Sequence, residues 1–254
     1  MRNLVRLACL LSLVPAAPLV RAEPVDLELV LLADASGSIG NDEIRYQRRG
    51  YADALADPDT LAAIASTGRF QKIAVTYIEW GQWDSQIAVV PWTIIASPED
   101  AAAFNRALLA APRTARGRNS IGNALVAAGK AITGNVHEGT RKVIDLSADS
   151  VNSWGGASVE EARAQVLAQG ITINGLAVLC RTCASGRPVS YDLEQAFEDT
   201  IIGGTGSFVV SADQPANFAL AVKRKLILEI AGLPAPVSDR REARNVRFEG
   251  EGLE

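Results

Sequence analysis

Histidine is almost missing from the chain: His137 stands alone in 254 residues, and cysteine occurs only at Cys9, Cys180 and Cys183. A four-ligand zinc site of Cys and His therefore has no ligand set. A Ser-His-Asp relay would have to use His137, and no Gly-x-Ser-x-Gly elbow presents a serine to it. No glycine-rich loop ending in lysine follows the first apolar segment, which argues against a nucleotide hydrolase. No apolar run reaches the ~20 residues of a membrane span, and the longest, residues 7–20, is interrupted by Ser12, Pro15 and Pro18. Positive charge is in deficit too, with 25 Lys and Arg against 29 Asp and Glu and a formal net charge of −4. An acidic surface argues against nucleic acid or anionic membrane as the main partner and is compatible with cation binding.

What is present begins with a leader. Arg2 and Arg6 precede the apolar stretch, and Val20-Arg21-Ala22 places small residues at the two positions a signal peptidase inspects. Residues 1–22 read as a secretory signal cleaved after Ala22, with an uncleaved anchor as the alternative. Cys9 then belongs to the leader. Its removal leaves 232 residues and takes away Arg2, Arg6 and Arg21, so the formal charge moves from −4 to −7. That length suits one large α/β domain or two small ones. The expected location is the periplasm or outside the cell. There, Cys180 and Cys183, in Cys-Arg-Thr-Cys, read as a small disulfide loop, with free thiols or a redox pair as alternatives. His137 reads as an exposed loop residue.

Apolar segments alternate with helical patterns along the rest. Strands are expected at 27–33, 72–80, 86–95, 141–147, 171–179 and 207–211, and helices at 41–55, from Ser97, and at 119–132, 158–169, 193–200 and 215–231. Gly81 to Ser85 is short enough to join the second and third strands as a hairpin. The expected fold is α/β: a doubly wound, mostly parallel six-stranded sheet with one antiparallel edge strand and helices on both faces. It would occupy residues 23–234, and the charged segment 235–254 reads as a disordered tail.

The segment after the first strand carries the chemistry. Asp34, Ser36 and Ser38 put a carboxylate and two hydroxyls at alternating positions, where open α/β sheets bind ligands. Hard oxygens of this kind suit Mg²⁺, Mn²⁺ or Ca²⁺. Asp-x-Ser-x-Ser in this place resembles the metal-ion-dependent adhesion site (MIDAS) of von Willebrand factor A domains. Two further loops extend the resemblance: residues 116–125, opening a helix, and Asp149 after the fourth strand. The stretches 75–80, 90–93 and 171–176 resemble a bacterial domain-of-unknown-function branch of the same proteins.

The resemblance implies a metal ligand from each loop. The position that supplies a threonine hydroxyl in the family holds Asn119 here, with Ser120 as a neighbouring hydroxyl, and the glycine that usually follows the last aspartate is Ser150. Asp34 and Asp149 would balance a divalent charge, with Mg²⁺ the first choice. The open coordination would then take an Asp or Glu carboxylate of a protein partner. Two other readings compete: a metal-free structural domain with a degenerate site, and a hydrolase of related architecture. A phosphatase using Asp34 as nucleophile would need a second aspartate where Ser36 stands, so no enzyme is expected. Trp83, on the hairpin, is a candidate partner contact, while Trp80 and Trp92 are expected to pack on the sheet. Asp145, inside an apolar strand, requires a partner such as Arg141, Lys142 or a polar group of another strand. Arg45, Arg48 and Arg49 read as a solvated helix face.

Overall fold

The computed structural model describes residues 22–179, 189–212 and 215–233. The expected leader up to Arg21, the Cys180 and Cys183 pair and the tail 235–254 lie outside the described residues. Along the chain come β1 (Glu23–Asp34), α1 (Asn41–Ala56), α2 (Pro58–Ser66), β2 (Ile73–Trp80), β3 (Gln86–Ile95), α3 (Pro98–Ala110) and α4 (Ile121–Thr133). They are followed by β4 (His137–Ala148), α5 (Val159–Ala168), β5 (Thr172–Val178), α6 (Leu193–Thr200), β6 (Val209–Ala212) and α7 (Pro215–Ala231).

The six strands form one sheet in the order β3-β2-β1-β4-β5-β6. Every neighbouring pair is parallel except β2–β3, the expected hairpin. β1 lies at the centre, covered on both faces, which is why residues 29–33 are continuously apolar rather than alternating. Alternation in space persists: Leu27, Leu29 and Leu31 face one core with α1, α3 and α7, while Val30 and Leu32 face the other with α4, α5 and α6. Helices start where side chains satisfy exposed amides: Ser97 accepts from Asp100 N, Ser158 from Glu161 N and Asp192 from Gln195 N.

Four differences from the sequence reading have physical reasons. α2 was not expected; it is only 9 residues long, yet Asp57 caps it and Pro58 fills its first position. His137 is no loop residue: β1 and β4 extend toward their beginnings, pairing Glu23 with His137, whose ring meets Trp92 edge-on at 6.1 Å. Arg48 is not solvated. It falls on the stripe Ile44, Arg48, Tyr51, Leu55 that α1 turns to the core, and its guanidinium grips both carboxylate oxygens of buried Glu79 at 2.7 and 3.0 Å. Asp145 finds its partner neither in Arg141 nor in Lys142 but across the sheet face, in Lys225 of α7 at 2.7 Å.

Candidate metal site at the carboxyl edge of the sheet

In this strand order the chain winds outward in opposite directions from β1 and β4, so the crevice beyond their carboxyl ends is the topological switch point. The register sets Ala33 level with Ser147, which brings the residues just past the two strands side by side. Asp34 comes from one strand and Asp149 from the other.

The loop after β1 folds around its own aspartate. Asp34 Oδ1 accepts from Ser36 N at 2.8 Å, an Asx-type turn, and this aims the two serine hydroxyls at each other with 3.2 Å between their oxygens. Arg113 clamps the outside, donating to Ala35 O at 2.9 Å, Ser36 O at 3.1 Å and Asn41 Oδ1 at 2.9 Å. Asn119 arrives from the loop before α4, with Nδ2 3.5 Å from Asp34 Oδ2 and 3.3 Å from Ser150 Oγ. The Ser38 hydroxyl is near enough to the Asp149 carboxyl to favour its charged form. Thus Asp34, Ser36, Ser38, Asn119 and Asp149 meet. Ser120 turns away: its hydroxyl goes to Asn123 Oδ1 and Gly155 O, each at 3.1 Å, so of the two candidates Asn119 is the one beside Asp34.

Backbone bonds lock the four loops together. Gly37 N donates to Gly117 O, Gln82 N to Arg116 O, Ser120 N to Gly81 O and Trp154 N to Asn119 O, at 2.7 to 2.9 Å. These close approaches need glycine. A Cβ on Gly81 would stand 2.2 Å from Arg116 O, and one on Gly122 2.0 Å from Ala157 O.

The electrostatics are those of two acids confined together. Asp34 and Asp149 are both buried, and neither makes an ion pair among the described residues. Burial, then the charge of Asp149, pushes Asp34 up to about 8 against the pull of Ser36 and Arg113. Burial, then Glu43, also raises Asp149, against the pull of the Ser38 hydroxyl. Among the described residues no group of three or more His, Cys, Asp or Glu gathers. The set is instead two carboxylates, two hydroxyls and an amide, which fits a hard divalent ion: it supplies two negative charges and neutral oxygens, and among the described residues Arg113 acts on Asp34 only from beside the loop, without an ion pair. Sequence reasoning missed Arg113 and Trp154. Arg113 had one available signal, its place among the three arginines of the polar loop that precedes α4.

The topology, with an Asp-x-Ser-x-Ser loop at its switch point, is that of a von Willebrand factor A-like domain. The chain matches the family described as Protein of unknown function (DUF1194) over residues 24–234, and it belongs to that family. No curated protein sequence matches it. Among solved structures it is similar to the pilus adhesin SpaC of Lactobacillus rhamnosus GG, with TM-score 0.57 and 14% identity over 84% of this chain and 31% of the adhesin. It is similar to proximal thread matrix protein 1 of the mussel byssus with a zinc-occupied MIDAS motif, at TM-score 0.56 and 19% identity over 83% of this chain and 49% of that one. An aerotolerance-related membrane protein of Bacteroides fragilis aligns at TM-score 0.52 and 16% identity, over 79% of this chain and 98% of its own. The chain spans less than half of the adhesin and of the byssus protein, and at these identities the likeness is one of fold.

Proposed function

We propose that this chain is an exported protein-binding module that works through a divalent cation, Mg²⁺ first, held by Asp34, Ser36, Ser38, Asn119 and Asp149. The observation that carries the reading is the meeting of two buried carboxylates, in no ion pair among the described residues, across the switch point of the sheet. The ion would supply a counter-charge and an open position. An Asp or Glu carboxylate of a protein partner completes the coordination. Asn119 presents Nδ2 toward Asp34, and Oδ1 is the atom that would face the ion. The zinc-occupied MIDAS motif of the byssus protein and the adhesin's fold support the reading by analogy. Export rests on the leader at residues 1–22, and no helix among the described residues is long and apolar enough to cross a membrane.

The test is thermal unfolding of residues 23–254 after EDTA treatment, titrated with Mg²⁺, Mn²⁺ and Ca²⁺. An ion at about a hundred times its Kd stabilises the folded state by ~2.7 kcal/mol. For a domain of this size that is a rise of roughly 5–10 °C. Asp34→Ala should abolish the rise. No rise with any ion means that Asn119 leaves the domain a metal-free scaffold.

A further inference from the structure

The face around the candidate ion is not uniform. On one side, Asp42 pairs with Arg45 and Glu43 accepts from the Gly40 amide, so the acids at the start of α1 are already engaged. On the other side lie Arg116 and Arg118, both exposed, whose guanidinium groups make no ion pair or hydrogen bond among the described residues. Arg118 is the chain neighbour of Asn119, and its guanidinium lies 4.1 Å over the Trp154 ring. Trp154 in turn donates its backbone N–H to Asn119 O at 2.7 Å, so the pair is fastened directly to a candidate ligand. Trp154 is 52% exposed and Trp83 59%. The two flank Gly155 and Gly156, both with positive φ, and nothing lies within 4 Å of where a Gly155 side chain would start. The result is an open shelf with a tryptophan on each side.

We infer that the Arg118–Trp154 pair, with Arg116 and Trp83 beside it, is the second half of the binding face and takes a second carboxylate from an acidic protein segment whose first carboxylate goes to the ion. The inference rests on the metal reading for that first contact. Charge selects the occupant: the ion would cancel Asp34 and Asp149, leaving two unpaired arginines against one exposed acid of the hairpin, Asp84, which accepts from Gln82 at 2.8 Å. Stacking holds the guanidinium flat, so its in-plane N–H groups point outward in the fork that fits a carboxylate. The aromatic rings supply rigid apolar area at the rim.

The experiment follows fluorescein-labelled hexaglutamate by anisotropy at low ionic strength, with hexaglutamine as the uncharged control, in Mg²⁺ and in EDTA. Arg118→Gln should weaken hexaglutamate about tenfold, the size of one charge-assisted contact at a partly desolvated site. Arg118→Lys should recover only part, because an ammonium offers no planar fork. Arg106→Gln, the same charge change on exposed α3, should leave affinity within about twofold. Equal losses in the Arg118 and Arg106 variants, or equal binding of hexaglutamine, overturn the inference. If EDTA abolishes binding and Arg118→Gln does nothing, the rim assignment falls and the ion stands. If Arg118→Gln acts and EDTA does not, the rim stands and the metal reading falls.

Discussion

Replacing Lys225 by Met should be among the most damaging single changes to this fold. The ammonium sits with no solvent exposure between two acids that are also fully buried, 2.7 Å from Asp145 Oδ1 in β4 and bonded to Glu229 one helical turn further along α7. Asn174 of β5 donates to Glu229 at 2.9 Å and accepts from Phe208 N at 3.2 Å, so the cluster ties α7 to the middle of the sheet. At an effective dielectric near 20, a unit charge pair about 4 Å apart is worth ~4 kcal/mol, offset by several kcal/mol of desolvation already spent on each ion. Removing the lysine returns none of the desolvation of the acids, so the loss should be about 3–5 kcal/mol. The range is matched by an alternative open to the variant, which is to protonate one of the acids. At pH 7, a carboxyl with a solution pKa near 4 requires ~4 kcal/mol to do so.

That alternative gives the loss a pH signature. Burial already raises both Asp145 and Glu229 above their ordinary values, and losing Lys225 raises them further. Acids with raised folded pKa values hold protons that the unfolded chain releases, so the variant gains stability as pH falls from 7 toward 5. The gap from wild type should close by up to ~1.4 kcal/mol per pH unit for each acid. Asp145→Asn added to Lys225→Met should restore part of the loss. Urea unfolding of wild type, the single and the double variant at pH 7 and pH 5 checks all of this. A loss below ~1 kcal/mol, or one that does not change with pH, would refute the reasoning.

Asp34 should make the metal-free domain lose stability as pH rises, because its folded pKa lies above the unfolded value; the loss accumulates from about pH 4 and is complete above about 8. In EDTA, Asp34→Asn should therefore melt above wild type at pH 8.5 and by a smaller margin at pH 5, while the Mg²⁺ response of wild type grows with pH. Melting curves across that range test both. Gly122→Ala should lower stability by about 1–3 kcal/mol and blunt the metal response: alanine favours a helix by up to ~1 kcal/mol, but its Cβ meets a backbone carbonyl at 2.0 Å that has no free rotation to yield. A rise in midpoint would refute it. Trp83→Ala should leave stability within ~0.5 kcal/mol, as an exposed residue does, and weaken partner capture; unchanged affinity would remove Trp83 from the binding face.

How far the sequence discloses this molecule depends on whether the signal is local. The strands of the parallel sheet read as mostly apolar runs because both faces are covered, and the hairpin reads from its five-residue link, so the architecture is legible. Asp34, Ser36 and Ser38 are legible for the same reason: their geometry is set within a single turn, by one bond from Ser36 N to Asp34. Partners distant in sequence are not. Asp145 lies between Ile144 and Leu146 in its own strand, and nothing near it points 80 residues ahead to Lys225. Arg113 clamps carbonyls 77 and 78 residues back, a contact written in no motif. Arg48 is the instructive miss, since Ile44, Arg48, Tyr51 and Leu55 form one regular stripe. Its charge masked its position, and an arginine on a core stripe should be read as one whose acid comes from elsewhere in the fold, here Glu79.

The same distinction explains what an ion would add. The loops of the site are bonded to one another by backbone amides without it, Gly37 to Gly117, Gln82 to Arg116, Ser120 to Gly81 and Trp154 to Asn119. Those bonds need no side chain beyond the glycines that let the chains approach. The oxygens are thus brought together by the scaffold, and the opposing force is concentrated in one place, the repulsion and desolvation of Asp34 and Asp149. A cation bound there would act mainly as charge on a preformed frame, with little loop ordering to offset its binding. Because the Trp154 amide is bonded to Asn119 itself, that frame also fixes the exposed rim beside the site. Partner selection by Arg118 and Trp154 and ion binding by Asp34 then share one rigid support while remaining separable by mutation.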